Sequence, residues 1–234
     1  MMKYIDDANL RFYEAHFEDH EHIMPNVNTV RCEIWYFRAN QEPGGILDYG
    51  FGYGQELMYF AEQGYDVYGL DIVQATKDKI DAHIATKRPD LSGRITTPIL
   101  DSGNTLLPYS DDFFDFIHSN QVIYFLPSRE AIQSLLQEWH RVLKPGGLFM
   151  FSTIQAENLM LEVAVPLDEN IYEFECPLGI GTDGPKLPVR SYLMRDEAHI
   201  RHKCDMFEIQ EVGWITNHYC GIDVAHWQVL GRKP

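Results

Sequence analysis

Residues 46–54 read Ile-Leu-Asp-Tyr-Gly-Phe-Gly-Tyr-Gly, and a second acid, Asp71, closes the next apolar run. Asp48 stands two residues before the first of three alternating glycines, Gly50, Gly52 and Gly54. Glycine has no Cβ, so a backbone built on it turns tightly and lets a ligand come close. A helix that starts after such a turn points its first N–H groups at the same place. Asp71 is then placed to accept hydrogen bonds from ribose hydroxyls, as in nucleoside-binding βαβ units. The spacing differs from the Gly-x-Gly-x-x-Gly that frees a helix N-terminus for a pyrophosphate. A carboxylate at Asp48 would repel a pyrophosphate but suits a ligand carrying an ammonium or a sulfonium. The plain alternative is a strand-to-helix turn that needs glycine only for its geometry.

The elements around the turn must hold it in place. Ile46 and Leu47 end a short apolar strand. After the glycines, Leu57, Met58 and Ala61 mark a helix that Gly64 stops. Residues 67–70 form a second strand, and Ile80 and Ile84 mark a helix ending before Pro89. Residues 95–100 and 113–118 read as the third and fourth strands. Ser128 caps a helix whose Ile132, Leu135, Leu136, Trp139, Val142 and Leu143 recur at helical spacing. Pro145-Gly146-Gly147 then turns into a fifth strand, 148–151. Strands alternating with helices predict an α/β fold, a parallel sheet covered on both faces.

Two regions break the rhythm. Residues 1–44 are expected to form an N-terminal helical cap, interrupted at Pro25-Asn26. Residues of about 155–190 hold four prolines and several glycines, and are expected to be an irregular insertion or lid within a domain spanning 45–234. A helix over 195–204 and a strand pair over 208–215 and 224–230 close the chain.

At 234 residues the chain suits one domain, or one domain with a lid. Its 19 Lys+Arg against 35 Asp+Glu leave a net charge of −16. That argues against a nucleic-acid partner, which rewards a basic face through counterion release, and against anionic membrane surfaces. Solubility is the plain reason for the charge. Cys32, Cys176, Cys204 and Cys220 form no Cys-x-x-Cys, so neither a zinc nor a redox motif is indicated. A reduced, cytoplasmic setting is the simpler reading. The first residues carry two acids and no apolar core, so no signal peptide is read there. No apolar run approaches the ~20 residues of a membrane span.

S-adenosylmethionine carries both an ammonium and a sulfonium, and an adenosine besides. Four segments, in order, resemble the core of class I S-adenosylmethionine-dependent methyltransferases over residues 45–152. They are Asp48-x-Gly50-x-Gly52-x-Gly54, Tyr65-Asp66-Val67-Tyr68-Gly69-Leu70-Asp71-Ile72, Leu106-Leu107-Pro108-Tyr109 with Phe113 to Asn120, and His140 to Leu148. Phe51 and Tyr53 depart from the smaller residues usual there, and would narrow the turn or line the pocket. The resemblance implies a Rossmann-like seven-stranded, mostly parallel sheet with helices on both faces and the last strand antiparallel.

It also implies S-adenosyl-L-methionine as cofactor and a cradle for it. Asp48, Gly50 and Gly52 would face the methionine portion, with Gly54 starting the helix beneath. Asp71 would take the ribose hydroxyls and Ile72 the adenine. Asp101 and Ser102 would reach the adenine amino group, although Asp101 reads equally as a turn acid. Ser119 and Asn120 lie at the carboxyl edge, where open α/β sheets bind ligands, and Asn120 reads equally as a backbone cap.

The acceptor side carries fewer signals. His118 has the chemistry of a general base near neutrality, and strand alternation can instead turn it into the packing layer. Tyr124 either faces the acceptor or packs on the next helix. Glu18-Asp19-His20-Glu21-His22 mixes carboxylates and imidazoles, but adjacent residues rarely point at one ion, so no metal is expected. His22 is a candidate acceptor-site residue instead. The expected activity is in-line methyl transfer to a small polar molecule by a monomer or homodimer. A non-catalytic partner subunit on the same fold is the alternative, with a nicotinamide-dependent oxidoreductase behind it.

Overall fold

A computed structural model describes residues 24–40, 42–99, 106–126, 128–175, 188–219 and 222–234. His22, Asp101 and Ser102 lie outside these residues. The N-terminal helix α1 (Val27–Cys32) begins at Asn26, whose side-chain oxygen accepts the Asn28 N–H at 2.9 Å. It continues through a π-helical stretch, Glu33–Phe37, into Arg38–Asn40. The break expected at Pro25-Asn26 is therefore the start of one continuous helical segment. An N-cap supplied by Asn26 satisfies an amide the first turn cannot.

The sheet contains β1 (Gly45–Tyr49), β2 (Asp66–Leu70), β3 (Ile95–Thr96), β4 (Phe114–Ser119), β5 (Leu143–Ile154), β9 (Glu208–Tyr219) and β10 (Ile222–Arg232). Their order is β3-β2-β1-β4-β5-β10-β9. Strands β1 to β5 run parallel, and β10 is antiparallel to both β5 and β9. This is the expected seven-stranded sheet with one reversed strand. Strand β3 is shorter than expected, because Pro98 has no N–H to add to a ladder. Beyond it a single bridge joins Asp71 to Ile99. Strand β5 starts earlier than expected, at Leu143, and its Pro-Gly-Gly is absorbed at a shift in register against β4.

Helices α2 (Gln55–Glu62) and α3 (Gln74–Lys87), with α1, cover one face. Helix α4 (Arg129–Val142) covers the other, capped by Ser128, whose hydroxyl oxygen accepts the Ala131 N–H at 3.1 Å. Alternation along β1 divides the core. Ile46 packs with Phe37, Leu57 and Phe60 on the α1 side, and Leu47 with Leu136 and Trp139 on the α4 side. Asp48 shares the face of Ile46, so its carboxylate points under α1.

The region of about 155–190 is not irregular throughout. It holds α5 (Leu159–Glu162) and the strands β6 (Val165–Asp168), β7 (Ile171–Glu175) and β8 (Pro188–Tyr192), which form a small antiparallel sheet. Pro166 on an edge strand and Pro188 at a strand start are compatible with such a sheet, and Pro177 and Pro185 lie outside the described residues. Phe174, Val189 and Leu193 pack this sheet on Tyr124, Phe125 and Ile154. Helix α6 (Glu197–Lys203) follows, capped by Asp196, whose carboxylate accepts the His199 N–H. No helix of the described residues is long and apolar enough to cross a membrane.

Candidate functional site

The glycine turn is fastened by Asp71. Its Oδ2 accepts the Gly52 N–H at 2.9 Å, and Oδ1 accepts those of Ile72 at 2.7 Å and Val73 at 3.0 Å. Gly50 donates its own N–H to the Leu70 carbonyl at 2.7 Å. The tip of β2 thus clamps the loop that follows β1. Burial pushes the Asp71 carboxyl above its usual range, against the three N–H groups that favour its charge. Gly50, Gly52 and Gly54 all have positive φ, at 77°, 50° and 76°. A Cβ on Gly50 would stand 2.5 Å from Val122 Cγ2, and one on Gly54 2.1 Å from Ile80 Cδ1. Both positions therefore need glycine for conformation and for space.

Phe51, expected to narrow the turn or line the pocket, is buried in the core on the α1 side. It lies against Gly69, where an added Cβ would meet its ring at 2.8 Å. Tyr53 is half-buried. Ile72 is half-buried beside the clamp and packs on the α4-side core.

Asp48 is 2% exposed and sits opposite His118 in the register of β1 and β4. Its Oδ1 lies 2.8 Å from His118 Nδ1, and His118 Nε2 lies 2.9 Å from Thr29 Oγ1. A carboxylate only accepts, so Nδ1–H donates to Asp48; in the neutral ring Nε2 then accepts from the Thr29 hydroxyl. Both ring nitrogens are engaged inside the fold, and the ring packs edge-on against Phe60. His118 thus occupies the packing layer, the second of its two sequence readings. Glu56, on the first turn of α2, accepts the Asn26 N–H at 3.0 Å. Burial, then the nearby Asp48, raises the Glu56 carboxyl above its ordinary value.

The carboxyl edge of β4 is pinned from β5. The Ser152 hydroxyl donates to Asn120 Oδ1 at 2.8 Å and accepts the Gln121 N–H at 2.7 Å. Gln121 adopts φ 58°, a left-handed backbone uncommon for a residue with a Cβ. Ser119, expected to face the cofactor, is fully buried and donates to the Tyr49 carbonyl at 3.1 Å. It ties β4 to β1 because strand alternation turns it toward the α4-side core. Tyr124 is buried beside Phe125, with its ring 5.9 Å from that of His226.

The residues present fit S-adenosylmethionine. Asp48 Oδ2 is buried and has no hydrogen-bond partner among the described residues. Such an oxygen is costly until a cation or donor meets it. An ammonium is the group that would relieve it, beside the glycine loop. Sequence reasoning missed Thr29, Glu56, Ser152 and His226. Thr29 and His118 meet across 89 residues of sequence, a distance no local motif reports. Among the described residues, no group of three or more His, Cys, Asp or Glu side chains is placed to hold a metal ion.

Comparison with known proteins bears on the same region. Residues 47–151 match the family described as Methyltransferase domain. The chain is 26% identical to methyltransferase GfsG of Streptomyces halstedii over 71% of its own length, and spans 62% of that relative. A crystal structure of an S-adenosylmethionine-dependent methyltransferase from Methanosarcina mazei superposes with a TM-score of 0.66 at 20% identity, covering 85% of this chain and 97% of the other. A 1,6-didemethyltoxoflavin-N1-methyltransferase of Burkholderia thailandensis, crystallised with bound 1,6-didemethyltoxoflavin and S-adenosylhomocysteine, gives a TM-score of 0.62 at 15% identity, covering 88% of this chain and 78% of the other. At such identities the two structures speak for the fold alone.

Proposed function

We propose that the chain, whose residues 47–151 match the family described as Methyltransferase domain, is a class I S-adenosylmethionine-dependent enzyme that transfers a methyl group to a small polar molecule. The single observation that carries the reading is the buried, unpartnered Asp48 oxygen beside a clamped glycine loop. S-adenosylmethionine, when bound, supplies a methyl carbon already activated by its sulfonium for in-line displacement. The chain is left to bind, orient and exclude water. Asp48 Oδ2 holds the ammonium. The loop from Gly50 to Gly54 and the Asp71 clamp shape the floor for the methionine and ribose, and Ile72 takes the adenine. His118 orients Asp48 and has no free nitrogen for the acceptor. We place the acceptor at the strained Asn120–Gln121 edge, beside Tyr124 and under the small sheet. The names of the relatives favour a small molecule, and the charge of −16 suits a partner other than nucleic acid. We place the protein in the cytoplasm as a monomer or homodimer, a setting that suits the buried free thiols of Cys32 and Cys204.

Titration calorimetry with S-adenosylhomocysteine tests the reading, with NADH as control ligand. Wild-type protein should bind S-adenosylhomocysteine and ignore NADH. Asp71→Ala, checked for an intact fold by circular dichroism, should lose the binding, because three backbone N–H groups lose their acceptor. No binding by folded wild type would overturn the proposal, and tight NADH binding would favour an oxidoreductase.

A further inference from the structure

The strongest feature outside the cofactor cradle is the line of side chains behind it. Thr29 on α1, His118 on β4 and Asp48 on β1 are 1%, 1% and 2% exposed, and are joined by contacts of 2.9 and 2.8 Å. One end of the line is the N-terminal helix. The other is a carboxylate whose second oxygen has no partner among the described residues. We propose that Thr29 is a positioning residue for the cofactor: through His118 it aims Asp48, so that seating of α1 and binding of the methionine ammonium depend on each other.

The chemistry runs one way along the line. Asp48 can hold an ammonium on Oδ2 only while Oδ1 is fixed, since a free carboxylate rotates about its Cβ–Cγ bond. His118 Nδ1–H fixes it. Asp48, which only accepts, sets that tautomer, and the Thr29 hydroxyl on Nε2 holds the ring against turning. A second contact seats the same helix, the Asn26 N–H on Glu56 Oε1 at 3.0 Å. Asp48 lies close enough to Glu56 to raise the cost of charging it. A bound cation lowers that repulsion, so occupancy of the cradle tightens the floor on which α1 sits. By linkage, whatever seats α1 also strengthens cofactor binding by the same factor. Replacing Thr29 by the isosteric valine leaves His118 Nε2 buried and unpaired, and frees the ring to turn away from Asp48. Serine keeps the hydroxyl.

The inference rests on the proposed cofactor site, and the test separates the two. S-adenosylhomocysteine affinity is measured by calorimetry for wild type, T29V and T29S, with hydrogen exchange of residues 27–32 recorded with and without the ligand. T29V should bind at least about tenfold more weakly, and ligand should no longer slow exchange in α1. T29S should keep near-wild-type affinity and ligand-dependent protection. Melting temperatures of the free proteins show what is merely structural: a lower value in T29V with unchanged affinity would overturn the proposal. Equal loss of affinity in T29V and T29S would overturn it too, since the hydroxyl would then not matter. Failure of wild type to bind S-adenosylhomocysteine would instead sink the cofactor assignment itself.

Discussion

His226 is buried on β10, its Nε2 has no hydrogen-bond partner among the described residues, and burial pushes its pKa down to about 4. In the unfolded chain a histidine titrates near its ordinary 6.5. Between those values the unfolded state takes up a proton that the folded state refuses. The stability linked to His226 is therefore whole above pH 6.5 and falls as the pH drops, by up to about 3 kcal/mol near pH 4. His226→Gln removes this titration. Urea midpoints measured from pH 7 to pH 4 should show a shallower acid limb in the variant than in wild type. Parallel limbs would mean that the folded protein protonates this ring as readily as the unfolded chain. No pattern in the sequence singles out His226 or Thr29, because each owes its character to what covers it. Asp48 and Asp71 were legible because their place beside the glycines fixes which strand tip they occupy. What they touch was legible only in part. Asp71 spends three of its hydrogen bonds on its own loop, and Asp48 leans on a histidine from the next strand.

At the scale of elements, the glycine turn carries the tightest geometric demand. Gly50 stands at φ 77°, and an added Cβ would lie 2.5 and 2.6 Å from the two methyls of Val122. Gly50→Ala thus meets two separate penalties. One is the left-handed backbone, about 1–2 kcal/mol for a residue with a Cβ, and the other is overlap with the segment that follows β4. We expect the affinity for S-adenosylhomocysteine to fall at least about tenfold. Adding Val122→Ala removes only the overlap, so it should restore part of the loss. Unchanged affinity in Gly50→Ala would show that the loop does not touch the cofactor. The helical periodicity of α4 and the alternation of strands and helices were readable because burial imposes a period on each. The small sheet β6-β7-β8 was not, since its strands are short, partly exposed and bounded by prolines that resemble loop composition.

At the scale of the molecule, the N-terminal helix is held to the sheet domain by a charge hub as well as by packing. Glu33 is fully buried and takes Arg38 Nε and Nη2 on its two oxygens, both at 2.8 Å. Tyr65 and Tyr59 donate their hydroxyls to the same carboxylate at 3.0 and 3.1 Å. Burial first, then Glu33, pushes the Tyr59 phenol up to about 12. Tyr36 reaches Glu211 on β9 from the same helical segment. Glu33→Gln keeps the shape and removes the charge, and its NH2 faces donors that need an acceptor. The Arg38 side chain is 45% exposed, which discounts its share. A net loss of about 1–3 kcal/mol is expected, or a fall in Tm of roughly 2–12 °C for a chain of this length. Because ligand binds only the folded state, saturating S-adenosylhomocysteine should raise the Tm of variant and wild type alike. The rise should be smaller in Glu33→Gln, since a loosely seated α1 weakens the hold of Thr29 on His118. Scanning calorimetry with and without ligand measures both quantities. An unchanged Tm would show that packing suffices to seat the helix, led by Phe37 stacked 4.6 Å from Phe116. A lower Tm with an equal ligand-induced rise would show that stability passes through Glu33 but cofactor affinity does not.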